Sequence, residues 1–313
     1  MQTSGGHANI RPMGLADILD GSIRMYRHNF GSFLGIVAIA WAPALALQLF
    51  STHWFMSVFM TGPQPDTDAL PLLAGLGGMF LASVAVYAIA VPLAEGALIW
   101  AISKRYLGQA VTITDAYRVV LSKFGQILLA IVLTALIAVV GLAFCVIPGL
   151  VFAFMLSFTI PEVVLGNRSA VDAIRRSWEL VSFDFWKAAL TLFVLGLLVA
   201  MLGGALAAPS QFITLLPVHP DSMILLYTLS GGVRALIQVV LQPVQIIGTI
   251  LLYYDFRIRK EGFDIQLLAQ AIEKRDTILP AARVTAAADT SLLAESAPRL
   301  PPKIDRSNDG QGL

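Results

Sequence analysis

Two acidic residues stand inside long apolar runs of this chain, Glu95 in VPLAEGALIW and Glu162 in SFTIPEVVLG. A carboxylate at the centre of a membrane helix costs about 2.5–3.5 kcal/mol on an insertion scale, so such a group turns toward other helices and is protonated, paired or wet. Further along, Gln238, Gln242, Gln245 and Thr249 recur at spacings of four, three and four, which lays one polar stripe along an otherwise apolar helix. Pro92, Pro161 and Pro243 interrupt the same runs, and each frees backbone carbonyls close to these side chains. The sharp expectation is an intramembrane polar cluster of Glu95, Glu162, Gln238, Gln242, Gln245 and Thr249 around an inner-leaflet cavity that binds a cation, a proton or a polar headgroup. The plainer expectation, and the preferred one, is interhelical hydrogen bonding that holds the bundle together.

Other site chemistries find little to work with. His7, His28, His53 and His219 are the only histidines and are scattered, and Cys145 is the only cysteine. Neither a disulfide framework nor a thiolate metal site can be built within one chain, and Cys145 reads as a small apolar residue in a membrane helix. The sequence has no glycine-rich phosphate loop, no closely spaced histidine pair and no serine nucleophile elbow, so no catalytic residue, metal or cofactor is expected. Lys plus Arg number 21 and Asp plus Glu 20, a net charge of +1 that gives no footprint for nucleic acid.

The elements that must carry these residues are membrane helices. Only 13% of the residues are charged, about half the ~25% of soluble chains, and the mean hydropathy is +0.76. Six spans are expected, near 33–50, 80–103, 127–146, 150–166, 188–208 and 236–254, which makes the fold all-α and polytopic. The segment before the first span is amphipathic and too polar for a signal-peptide core, so no cleavage is expected. Twenty of the 21 cationic residues fall on one side of this arrangement, and Arg234 alone departs from it. Both termini are therefore expected in the cytoplasm, with Arg234 snorkelling to headgroups.

The last run, from Met223 to Tyr254, is too long for a ~30 Å hydrocarbon core, and Gly231-Gly232 is the expected break. Gly75, Gly77 and Gly78 are expected to break the second run in the same way. The segment ADILDGSIRMYRHNFGSFLG lies without a gap on VDAIRRSWELVSFDFWKAAL, so that Asp17 meets Asp172, Ser22 meets Ser177 and Phe30 meets Phe185. A third copy, ITDAYRVVLSKFGQILLA, matches at Asp115 and Phe124 once a helical turn is removed. Three modules follow, each an amphipathic helix and an out-and-back hairpin. In the third, Asp172 is expected to cap a helix over 173–181 with Ile174, Trp178 and Val181 on one face. Arg175 and Arg176 would meet lipid phosphates, while Trp178, Phe183, Phe185 and Trp186 form an aromatic belt. Gly196, Gly203 and Gly204 offer a small-residue packing surface.

After the sixth span comes LYYDFRIRKEGFD. Tyr253 and Tyr254 are expected at the interface, with Arg257, Arg259 and Lys260 holding the inner side, and Asp264 can cap a helix over 265–275. This ending, with LADILDGSIRMYRHNF near the start and PEVVLGNRSAVDAIRRSWELVSFDFW in the middle, resembles the membrane domain associated with bacterial glycerophosphoryl diester phosphodiesterases and related six-span proteins. The resemblance covers Leu15 to about Ala271 and implies a bacterial cytoplasmic-membrane location. The barrel that performs hydrolysis in such enzymes has no counterpart here. The expected organisation is an N-terminal cytoplasmic arm over 1–14, a membrane domain over 15–276 and a disordered tail over 277–313. The leading functional expectation is a non-enzymatic membrane protein that organises lipids or partner proteins at its inner face. The alternative is a small transporter or channel working around Glu95, Glu162 and Gln242.

Overall fold

The computed structural model describes residues 13–61, 69–213 and 220–261. They form α1 (Leu15–His28), α2 (Phe30–Thr61), α3 (Ala69–Tyr106), α4 (Ile113–Phe144), α5 (Val146–Met155), α6 (Thr159–Val164), α7 (Ala170–Phe183), α8 (Phe185–Ile213) and α9 (Pro220–Glu261), with no strand among the described residues. The tail over 277–313, the helix over 265–275 and most of the N-terminal arm lie outside the described residues.

Six stretches are long and apolar enough to cross a membrane: Phe30–Met60, Leu72–Tyr106, Ile113–Phe144, Val146–Val164, Phe185–Phe212 and Ser222–Lys260. Their large side chains point outward in numbers that water would not tolerate. Phe50, Phe80, Leu81, Met201 and Phe212 are exposed, and Phe144 is 85% exposed. The interior is closed by Phe33, Ile36, Leu98, Ile102, Ile127, Leu195 and Ile247. An apolar belt around a tightly packed interior is what a lipid solvent selects, because backbone polar groups must be satisfied within each helix.

The three-module pattern has a local cause. Asp17, Asp115 and Asp172 each occupy the third position of their helix, three residues after the N-cap. Asp17 accepts the Gly14 N–H at 2.9 Å, whereas Thr112 and Ser169 accept the N–H of Asp115 and of Asp172 at 3.2 Å. Asp172 is therefore not the cap of its helix; Ser169 is, and α7 begins three residues before 173. The buried face also differs from expectation: Ala170, Ala173, Ser177, Leu180 and Val181 point inward, while Trp178 stands exposed on the flank. Small residues let α7 approach the bundle closely, and bulk alone misreads that face.

The middle module departs from the other two. Asn29 separates α1 from α2 and Asp184 separates α7 from α8, but α4 runs unbroken from Ile113 to Phe144. Its copy is one turn shorter, so the amphipathic segment and the span share one axis. The returning span is broken instead, between α5 and α6. There Ser177 mends the gap: its hydroxyl accepts the Phe158 N–H at 3.0 Å and donates to the Met155 carbonyl at 2.8 Å.

The expected glycine breaks do not occur, since α3 and α9 pass through Gly75 and Gly231-Gly232 as single helices. A β-carbon on Gly75 would fall 2.8 Å from the Trp54 ring, and one on Gly232 would fall 2.8 Å from Leu49. These glycines admit a neighbouring helix. Of the three on α8, Gly203 faces Leu241, while a β-carbon at Gly196 or Gly204 would meet nothing. Nor do prolines interrupt α3 or α9, which continue through Pro92 and Pro243. Near Pro243 the Tyr26 hydroxyl donates to the Val240 carbonyl at 2.5 Å. Burial pushes that hydroxyl up to about 12, so it keeps its proton. At 42 residues α9 is about 63 Å long, and Arg234 lies some 35 Å from Arg257 at ~1.5 Å per residue. Arg234 is thus exposed near the far headgroups without any break. Cys145 occupies the turn between α4 and α5 rather than a helix, and it is exposed.

Candidate functional site: a cavity lined by six spans

The six spans line a half-open cavity of about 850 Å³. All six spans contribute: Trp41 and Gln48 from α2, Tyr87 and Glu95 from α3, Thr134 from α4, Phe154 and Ile160 from the broken span, Leu192 from α8, and Gln238, Gln242, Gln245 and Thr249 from α9. The polar stripe therefore faces the cavity. α3 and α9 run in the same direction, and Tyr106 stacks on Tyr254 with ring centres 5.0 Å apart, while Ser103 and Tyr254 share a hydrogen bond of 2.6 Å. Eleven residues back from Tyr106 on α3, Glu95 comes level with the stretch from Gln242 to Gln245 on α9. The cavity extends from there toward Gln48 and Gln238, away from the face that carries α1 and α7.

One cavity carboxylate has no partner: Glu95 is half-buried and makes no ion pair or hydrogen bond among the described residues. The Trp41 indole N–H and the Ser157 hydroxyl also lack a partner among the described residues, but both atoms are themselves buried in the wall rather than presented to the cavity that their residues line. Pro243, inside α9, has no N–H to give to the Val239 carbonyl four residues earlier, which is again on the cavity wall. Other groups are satisfied: Tyr87 donates to Gln48 at 3.2 Å, and Thr249 and Thr134 bond back to carbonyls of their own helices. Trp41 meets the Tyr87 ring edge-on at 5.6 Å.

Glu162 does not join this cluster. It is 3% exposed, accepts the Tyr253 hydroxyl at 3.2 Å, and pairs with Arg168 at 3.2 Å. Tyr253 lies about 15 Å along α9 from the level of Glu95, counting ~1.5 Å per residue. Six residues of separation bring Arg168 back to Glu162 through a turn in which Asn167 has φ 54°, so this carboxylate is already partnered.

Around Glu162 the end of α9 is packed on every side, and the two tyrosines expected at the interface are interior. Tyr253 is 0% and Tyr254 3% exposed, with Phe158 edge-on to both Tyr253 and Phe256 at 5.6 Å. Arg257 lies over the Tyr253 ring at 5.7 Å. Asp255, fully buried, accepts the Met13 N–H at 2.6 Å and Arg259 at 3.1 Å, and it also pairs with Lys187. Lys187 donates to the Met13 carbonyl at 2.8 Å, and Lys260 donates to the Glu179 carbonyl of α7 at 2.6 Å. The charged ending thus clamps α9 to the chain before α1, to the start of α8 and to α7. Spacing alone could not reveal this, because the partners of Asp255 lie up to 242 residues away. Of the remaining interfacial residues, Arg175 is exposed, Arg176 pairs with Glu179 at 3.0 Å, and Trp186 is 80% exposed.

Fold and cavity together define the class: an integral membrane protein of six apolar helices around a mainly apolar cavity that holds a few polar groups. Two mycobacterial proteins share part of the sequence. The chain is 28% identical over 137 residues to Uncharacterized protein Rv2560 of Mycobacterium tuberculosis and, with the same coverage, to Uncharacterized protein Mb2590 of Mycobacterium bovis. Those alignments cover 42% of this chain and span about 41% of the length of each relative. No family model and no solved structure matches the chain.

Proposed function

We propose that this protein binds a small solute within the membrane, as carriers and channels do, and that the cavity is its working site. One observation carries the reading: six spans converge on about 850 Å³ lined by the Glu95 carboxylate, unpaired among the described residues, and by the glutamine stripe of α9. Pockets of ~300–1,000 Å³ with mainly apolar walls and a few convergent polar groups are the usual form of a small-molecule site. Polar side chains that serve only as glue bond to one another, and Glu95 does not do so among the described residues. The test uses protein in nanodiscs of neutral phosphatidylcholine, titrated with the uncharged dye N-phenyl-1-naphthylamine against empty nanodiscs. Saturable binding of about one dye per chain, lost in Ala138→Trp, is expected; a signal equal to empty nanodiscs overturns the reading.

A second reading, the organising of lipids or partner proteins at the α7 face, is favoured by the exposed Trp186, Phe183 and Arg175. In it Arg175→Ala plus Arg176→Ala lowers the number of anionic lipids that survive purification, counted by native mass spectrometry. An unchanged number removes it. The cytoplasmic placement of this face follows from the cationic bias, and the likeness to the phosphodiesterase-associated membrane domain stands as a proposal of ancestry that transfers no hydrolysis.

A further inference from the structure

We infer that the cavity selects an organic monocation whose charge is held at Glu95 while its apolar body fills the space toward Trp41 and Tyr87. This rests on the reading of the cavity as a solute site and names the chemical class of the solute.

Charge comes first. Among the described residues that line the cavity Glu95 is the one carboxylate, and none is Lys, Arg or His. The groups level with it add acceptors: the side-chain carbonyls of Gln242 and Gln245, and the proline-freed backbone carbonyl of Val239. In a low-dielectric interior an unpaired carboxylate is costly, and a cation that replaces its lost hydration recovers much of that cost. An anion placed there would meet the same carboxylate without screening.

Size and walls then separate organic from inorganic cations. A cavity of about 850 Å³ is far larger than any dehydrated metal ion, and no other carboxylate, imidazole or thiolate lines it beside Glu95. A divalent ion usually takes several such ligands at 2.0–2.6 Å. The walls away from Glu95 are mainly Ala, Leu, Ile and Val, with Gln48, Thr134 and Gln238 among them and the Trp41–Tyr87 aromatic pair alongside. Apolar walls with aromatic faces suit a hydrophobic cation, since a ring face attracts positive charge and an alkyl or aryl body displaces poorly held water.

Tetraphenylphosphonium and tetraphenylborate are nearly the same size and opposite in charge, so they isolate the role of Glu95. Each is titrated against dye-loaded protein in neutral nanodiscs. Tetraphenylphosphonium is expected to displace the dye and tetraphenylborate to leave it bound. Glu95→Gln should weaken tetraphenylphosphonium at least ten times more than it weakens the dye, and Glu95→Asp should recover most of that difference. If the dye binds and both ions displace it equally, or Glu95→Gln displaces like the parent, the cation inference fails while the solute cavity stands. If the dye itself finds no saturable site, the reading beneath it fails instead.

Discussion

At the scale of single residues, the three carboxylates in apolar surroundings have separate fates, and their partners decide which. Asp255 holds two cations and a backbone N–H, Glu162 holds an arginine and a tyrosine, and Glu95 holds nothing among the described residues. Asp255→Ala would leave Lys187 with 17% and Arg259 with 38% side-chain exposure beside an empty socket. Breaking a buried pair by removing one partner costs about 3–5 kcal/mol. A fall in the detergent melting temperature several times larger than that of Glu95→Gln is expected, and equal falls would remove the clamp. Sequence marked Glu95 and Glu162 as costly but could not tell them apart, because burial looks alike from one strand of text and pairing does not. Asp255 went unmarked, since it sits in a charged run that reads as solvated.

At the scale of elements, the fourth span and the glycine contacts hold the lesson. Ser177 belongs to an amphipathic helix and yet repairs the backbone of a membrane span. Ser177→Ala leaves the Phe158 N–H and the Met155 carbonyl buried and unpaired, at about 1–3 kcal/mol for each group. Its melting temperature should drop while Ser22→Ala, the repeat-related serine that bonds only to its own helix at Ile18, changes it little. Similar losses for both would show that the break needs no repair. Gly232→Leu should also destabilise, by about 1–3 kcal/mol for overpacking, because Leu49 occupies the space a side chain needs. Gly204→Leu, on an open flank of α8, should not. Helix existence was readable from apolar runs and the module starts from their aspartates. The role of each glycine was not, because close approach and chain breaking select the same residue.

At the scale of the whole molecule, the even number of spans returns the chain to the face it left, where Met13 meets Asp255. Cys145 marks the opposite face at an exposed turn and is the only thiol in the chain. A membrane-impermeant maleimide added outside intact cells should label it, and in a Cys145→Ser background Arg175→Cys should be labelled only after permeabilisation. The reverse pattern would invert the orientation. Sequence by itself determined that the solvent is lipid, that there are six crossings and that one edge is cationic, because hydropathy and charge act residue by residue along the chain. Only the tertiary structure decided that Glu95 and the glutamine stripe share a cavity, that Glu162 is spent on Arg168, and that α9 passes its glycines unbroken. Those outcomes depend on which helices become neighbours and at what height, and that information arises when distant segments pack.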